Sequence, residues 1–344
     1  MRLDLAVLAG AGPPLLLALL ASCSILPEHL DEPARIVRGP IAARTQEPIK
    51  LTYLAFRPRR ATIQEEGTTA ITVQEAYSNV FNNDADDPDS KVVLDGEISR
   101  TSVALRRAVA PRTDVEIEVA AVYATSGFLD DFIEAWHRAF GLPSEHRDER
   151  PKDAYEMEVQ KDGVTAYHLE GNEPGFADVP IVVTHALVLE SESTPAISVR
   201  AGVEIPTGSE EKGFGNGEFD FGGGILAEKS FGRWTTTAAV DYTAPGTSES
   251  FEDAGMSPHD GFDVQFGLEY RWNDRISLLF GAILDSPVTR DLLIDQIDDE
   301  ILTIDVGCAW DVGERSRLFF ALEEDAIANA GPDVTFLLGW NVGL

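Results

Sequence analysis

Long runs of strict apolar/polar alternation constrain this chain more than anything else in it. Val115, Ile117, Val119, Ala121 and Tyr123 alternate with Asp114, Glu116, Glu118 and Ala120. Ile197, Val199, Ala201, Val203 and Ile205 alternate with Ser198, Arg200, Gly202 and Glu204. Trp234 to Tyr242, Phe262 to Trp272 and Val334 to Leu344 repeat the pattern. Successive strand side chains point to opposite faces, so each run is a strand with one apolar face and one small, polar or charged face.

Two architectures alternate in this way. A soluble sandwich turns the apolar face inward. A membrane barrel turns it outward to lipid and keeps a polar lumen. Runs of about ten residues exceed the five or six usual in sandwiches. Tyr123, Trp234, Tyr242, Tyr270, Trp272, Trp310 and Trp340 fall near strand ends, where membrane-interface girdles sit.

Connection lengths add a parity test. Short turns at 108–114, 190–195, 229–233, 273–275 and 312–315 alternate with long loops at 79–91, 125–178, 206–217, 243–260, 286–300 and 325–332. Outer-membrane barrels put short turns in the periplasm and long loops outside. Strands at 69–78, 92–107, 112–124, 179–190, 195–206, 217–229, 232–243, 261–272, 275–285, 301–311, 315–325 and 333–344 satisfy that rule. The expected fold is all-β: a closed antiparallel transmembrane β-barrel of about 12 strands. The hairpin 155–169 makes 14 the alternative if it also crosses.

One helix interrupts the strands, SGFLDDFIEAWHRAFGLP at 126–143. Phe128, Phe132, Trp136 and Phe140 recur every four residues, widened by Leu129, Ile133 and Ala139. Asp130, Asp131, Glu134, His137 and Arg138 fall on the other face. Gly141 and Pro143 end it. Parity places it in the longest extracellular connection. Phe128, Phe132, Trp136, His137 and Phe140 are candidates for a plug or gate at the mouth, with the outer leaflet as the other partner for the aromatic stripe.

The N-terminus reads as an export signal over residues 1–23. Arg2 is its positive region, and the apolar stretch from Leu3 to Leu20 is broken by Gly12-Pro13-Pro14. Leu20-Ala21-Ser22-Cys23 has the form of a lipobox, making Cys23 the lipidation candidate. Residues 24–66, with Pro27, Pro33, Pro40 and Pro48, read as an extended tether with a short apolar segment and the basic knot Arg57-Pro58-Arg59-Arg60. The barrel then occupies 67–344.

Lys plus Arg number 27 against 59 Asp plus Glu, a formal net charge of −32, which excludes nucleic acid as a partner. The acids cluster in loops and read as solvated, with cation binding as the sharper alternative. Two cysteines, Cys23 and Cys308, give no disulfide framework and no zinc site. No cofactor, metal or catalytic residue is assigned. A membrane-embedded hydrolase using His137 or His168 stays a distant alternative without a GxSxG elbow.

If the apolar faces meet lipid, the opposite faces line the lumen. Arg100, Arg106, Glu116, Glu118, Arg200, Glu204, Asp241, Asp263, Glu269, Arg271 and Arg317 are the lumen-lining candidates. Arg and Lys on the lipid face would cost about 2–4 kcal/mol each at midplane. These charges either pair across the lumen or form a polar path. Gly222-Gly223-Gly224 inside a strand marks a bend or close packing against whatever fills the lumen.

The helix segment with residues to 155, LDGEISR at 94–100, EIPTGSEEKGFGNGEFD at 204–220 and the last strand resemble a Gram-negative outer-membrane family defined as a domain of unknown function. Pro206-Thr207-Gly208 with the glycine-rich restart at 213–217 is similar to the phenol meta-pathway outer-membrane channel family. The resemblance covers residues 45–344 and implies an outer-membrane barrel without established catalytic residues. Its implied partners are outer-membrane lipid, a small solute of unspecified chemistry, and the barrel-insertion machinery through the last strand. That strand ends in Leu344 where such barrels commonly end in Phe. The function expected is a pore or uptake channel for small molecules. The alternative is a filled barrel with a structural or surface role.

Overall fold

The structure is a computed structural model. It describes residues 38–84, 90–140, 147, 150–292, 294–326 and 331–344, with the side chains of 136, 137, 139, 140, 295 and 296 left out. The leader, Cys23 and the first part of the tether lie outside the described residues. So do the side chains of Trp136, His137 and Phe140.

Twelve antiparallel strands close on themselves. In chain order the strands are β1 (Thr69–Asp84), β2 (Ser90–Ala110), β3 (Thr113–Thr125), β4 (Glu156–Lys161), β5 (Val164–His168), β6 (Pro174–Phe176), β7 (Val179–Val188) and β8 (Ala196–Ile205). They continue with β9 (Asp220–Phe231), β10 (Trp234–Ala244), β11 (Gly261–Arg271), β12 (Ile276–Asp285), β13 (Ile301–Gly313), β14 (Ser316–Asp325) and β15 (Val334–Gly343). The ring runs β1-β2-β3 and then β7 through β15, and it closes where β15 pairs with β1 from Ala70↔Gly343 to Asn79↔Val334. The hairpin β4–β5 does not cross. It pairs from β4 onto Ser90–Asp95, the part of β2 that rises above the ring, and β6 pairs onto the top of β3. This settles the count at twelve and sets the fourteen-strand alternative aside.

The barrel is inside-out relative to a soluble protein. Ile225, Val240, Val306 and Leu338 are more than half exposed on its outer wall, while Thr184, Ser198, Asp220 and Ser277 are fully buried facing inward. Only lipid outside satisfies such a wall, and only closure satisfies every strand's backbone groups there. Aromatic rings mark both rims. Trp234, Tyr270 and Trp272 make tilted and edge-on ring contacts at the short-turn end, and Tyr242 meets Phe262 at the long-loop end with ring centroids 5.1 Å apart.

At the long-loop end the inward residues change character. Val92, Leu94, Ile98 and Val122 of the raised strands join Met157 and Tyr167 of the β4–β5 hairpin. Phe214, Phe251, Met256 and Ile294 come in from three further loops, and the result is a buried apolar core that caps the mouth. Charge substitution therefore has opposite consequences on the two faces. Phe266→Arg, on the outer wall of β11, should lower the unfolding free energy in phospholipid vesicles by about 2–4 kcal/mol. Unchanged denaturant unfolding of that variant would contradict an outward lipid face.

Candidate functional site

The site is the lumen, and residues 38–63 fill it. The stretch read as a tether is extended, but from residue 38 it runs inside the barrel and not beneath it. It rises along one wall, turns at a short 3-10 helix (Lys50–Thr52) under the mouth, and descends along the other wall to β1. We call it the strap. It makes no strand pairing, so its backbone and side chains are held by groups that the wall projects inward.

The ascending limb starts near the short turns. Glu269 accepts from the Arg38 and Gly39 backbone N–H groups at 2.8 Å. Arg38 Nε donates to Asp311 at 2.6 Å and Nη1 donates to Ser277 at 3.2 Å. Above them Ile41 and Ala43 pack on an apolar sector of the inner wall formed by Ala76, Leu279, Ile283, Ala309, Ala321 and Leu337. At the apex Arg44 Nη2 donates to the carbonyls of Lys50 and Tyr53 at 2.9 and 2.7 Å. The Glu47 carboxylate accepts from Lys50 N at 2.6 Å, and Tyr167 Oη donates to the Pro48 carbonyl at 3.0 Å. Ile49, Leu51 and Tyr53 enter the apolar cap.

The descending limb carries the charge. Leu54 N donates to Asp220 at 2.8 Å. The Phe56 ring lies over the inner wall where β8 and β9 have glycine. A Cβ on Gly202 would sit 3.0 Å from that ring, and one on Gly222 would sit 2.6 Å from it. Those glycines are the floor on which the strap rests. The Arg200 guanidinium stacks 4.9 Å from the Phe56 ring centroid and forks onto Asp241 at 2.6 Å through both Nε and Nη2. Arg57 pairs with Glu118 and lies 3.5 Å from Glu116. Arg59 forks onto Asp114 at 3.0 and 2.6 Å and donates to Thr184 at 2.8 Å. Arg60 meets Glu228 at 2.7 Å. Ser198 donates to the Ala61 carbonyl, and Ala61 packs on Ala196, Leu226 and Ala239.

The eleven lumen-lining candidates all lie on the inward parity of their strands. Arg100 and Arg106 hold Glu118 and Glu116 in place at 2.5 and 2.6 Å, ready for Arg57. Arg200 and Asp241 form the fork under Phe56. Glu269 grips residues 38–39, and Arg317 braces Asp311 at 2.7 Å. Glu204 and Asp263 are buried near the mouth, opposite Asp220 and Asp285 in register. Arg271 is half-buried at the short-turn end of β11. Most of these groups therefore serve the strap. Sequence reasoning had not singled out the partners Asp114, Asp220, Glu228 and Asp311 as strap ligands. The four-residue knot Arg57–Arg60 was the available signal.

The helix Asp130–Phe140 lies elsewhere than the mouth. Leu129 and Ile133 are buried against Tyr77, Leu322, Val334 and Phe336. Their neighbours Ala76 and Leu337 face the lumen, so this contact is on the outer wall. Phe128 and Phe132 accordingly neither plug nor gate the barrel; they sit outside it. Glu97, fully buried on the same outer side, accepts from Phe128 N and Leu129 N at 2.7 and 2.5 Å. Gly127, at φ +72°, leaves room for that carboxylate. Arg147 ties the loop to Asp130 at 2.9 Å, to Asn79 and to Asp333. Beyond the rim, Lys91 at 2.6 Å and Arg150 at 3.0 Å hold the Glu156 carboxyl below the usual carboxylate range.

The Pro206-Thr207-Gly208 motif has a structural explanation. Asp178, just before β7, accepts from Thr207 N and Gly208 N at 2.7 Å and from Asn216 N at 3.1 Å. The motif folds one long loop over the mouth. Among the described residues, no three His, Cys, Asp or Glu side chains converge as a metal site.

With the geometry in hand, comparison with known proteins is informative. The sequence profile of the family described as "Protein of unknown function (DUF3187)" matches residues 18–344. The chain belongs to this family. No curated protein matches it in sequence. Among solved structures, an outer membrane channel from Pseudomonas putida F1 superposes with a TM-score of 0.54 at 13% identity, covering 84% of this chain and 100% of that one. The NanC porin gives 0.48 at 7% identity over 80% and 100% of the two chains. A KdgM porin in complex with disordered oligogalacturonate gives 0.40 at 9% identity over 79% and 98%. The first of these shares the twelve-stranded chain's fold.

The ion pairs make a direct prediction. Removing one partner of a buried pair strands the other charge, at a cost of about 3–5 kcal/mol. Arg59→Ala should destabilise the folded barrel by about that amount, and the joint change Arg59→Ala with Asp114→Ala should recover part of the loss. Denaturant unfolding in detergent or vesicles measures both. Equal stability of the parent and the single variant would contradict the Arg59–Asp114 contact.

Proposed function

We propose that this protein is an outer-membrane channel for small molecules, narrowed from within by its own strap. The observation that carries this reading is the way residues 38–63 are held. They contribute no rung to the barrel and occupy its lumen through side-chain contacts alone. Twelve strands close without them. Removing or shifting the strap opens space and breaks no strand pairing. The fold shared with the Pseudomonas putida channel supports the same reading, as does the outward apolar wall for a place in the outer membrane.

The inner wall also suggests which solutes pass. The inward basic residues of β2 and β8 are neutralised by neighbouring carboxylates. On the far side Asp305 and Glu323 lie opposite one another in register on β13 and β14, both buried and facing inward. A path along that sector favours small neutral or cationic solutes over anions. The last strand, β15, presents Leu338 and Trp340 outward, and these are the features that the barrel-insertion machinery would engage.

The apolar cap favours the second reading, a filled barrel with a structural or surface role. Single-channel recording separates the two. The full-length protein in planar bilayers should show small conductance steps. A variant lacking residues 38–62 should show clearly larger ones, with a reversal potential in a KCl gradient that favours cations. If deletion yields a folded barrel of unchanged, near-zero conductance, the channel reading fails and the filled-barrel reading stands.

A further inference from the structure

We infer that the segment 128–140, with its helix Asp130–Phe140, is a membrane-interface element, which lays Phe128 and Phe132 into the outer leaflet beside the barrel. The inference concerns the outer wall and holds whether or not the lumen conducts.

Three observations carry it. The first is the side of the wall on which the helix lies. Leu129 and Ile133 rest on Tyr77, Leu322, Val334 and Phe336, all of which point away from the lumen. The second is height. Tyr77 pairs with Ser99, and Ser99 pairs with Tyr123, an exposed ring at the long-loop end of β3. The helix therefore sits at the level of the upper aromatic belt and not above it. The third is what the helix leaves uncovered. Phe128 is 70% exposed although it stacks on Tyr77, and Phe132 is 42% exposed although it tilts against Phe336. Two phenylalanine rings left open at belt height continue the lipid-facing surface of the barrel itself.

The polar side of the segment fits the same placement. Lys152 bonds Asp131 at 2.7 Å and Glu134 at 2.8 Å, all three on the exposed side. The loop is fastened to the rim by Glu97 and Arg147, so it cannot reach over the mouth without breaking buried contacts. An amphipathic helix with apolar residues toward hydrocarbon and paired charges toward water is the form of an interfacial helix. Aromatic side chains are favoured at that depth. Lipid is the occupant that the wall already requires everywhere else at this height, so the exposed rings extend an existing interface.

The test is site-directed spin labelling of the full chain with Cys23→Ser and Cys308→Ser, reconstituted in phosphatidylglycerol/phosphatidylethanolamine vesicles. Labels are placed by Phe128→Cys and, as an independent position, Phe132→Cys. Phe266→Cys on the outer wall of β11 is the lipid control, and Asp162→Cys in the β4–β5 turn is the aqueous control. Heat-modifiable migration on a gel confirms that each variant folds. The ratio of collisions with oxygen to collisions with a water-soluble nickel chelate is the readout. The expected result is a ratio at 128 and 132 several-fold above that at 162 and close to that at 266. A ratio equal to that at 162 would overturn the inference. Shielding from both reagents would overturn it too, because it would mean that a second copy or the mouth covers the rings. An aqueous reading at 266 would instead sink the lipid-facing wall on which the inference rests.

Discussion

Charge buried inside a barrel needs a partner, and this chain supplies its own. The inner wall projects the buried Asp114, Glu118, Glu228 and Glu269, and the half-buried Glu116 and Asp311, into the strap-filled lumen. Left alone, each would carry a desolvation cost of several kcal/mol. Arg38, Arg57, Arg59 and Arg60 come from one continuous strap that precedes the first strand, and they meet Asp311, Glu116, Asp114 and Glu228 at 2.6–3.5 Å. The remaining interior follows from this. The ascending limb is apolar where it meets an apolar sector. The descending limb is basic where it meets acids, and glycines on β8 and β9 make room for the one large ring between them.

The same constraint shapes what the barrel does. A strand-paired plug would be permanent, because removing it exposes backbone groups. On the channel reading proposed above, a strap held by ion pairs and small-residue contacts can leave the wall with its charges hydrated and no strand pairing broken. Arg100 and Arg106 already partner Glu118 and Glu116, so part of the wall remains neutral without the strap. The apex is held differently, within the apolar cap. The apolar cap above and the strap within thus fill the barrel by two different kinds of contact.

Much of the barrel was legible in the sequence. Period-two runs such as Ile197–Ile205 and Phe262–Trp272 have one reading as strands, and the alternation of short and long connections fixed their direction. The strap was not legible. It has neither period two nor period 3.6, and its prolines are equally at home in a linker. Only the knot Arg57–Arg60 and the inward glycines Gly202 and Gly222 hinted at it, and pairing them needs the third dimension. The helix was legible as a helix, and parity placed it in the right loop. An aromatic stripe fits a barrel mouth or a lipid leaflet equally well, so the side of the wall on which it lies could not be read. That choice was made by Glu97 and Arg147, whose partners are remote in sequence.

The central claim is that residues 38–63 reside in the lumen of the folded protein. Amide hydrogen exchange of the full-length barrel in lipid vesicles tests it most directly. Gly39, Lys50, Leu54 and Thr62 donate their backbone N–H groups to Glu269, Glu47, Asp220 and Glu228. These amides should exchange as slowly as those of β8 and β9 beside them. Exchange across 38–63 at the rate of an unstructured chain, while β8 and β9 stay protected, would contradict the account.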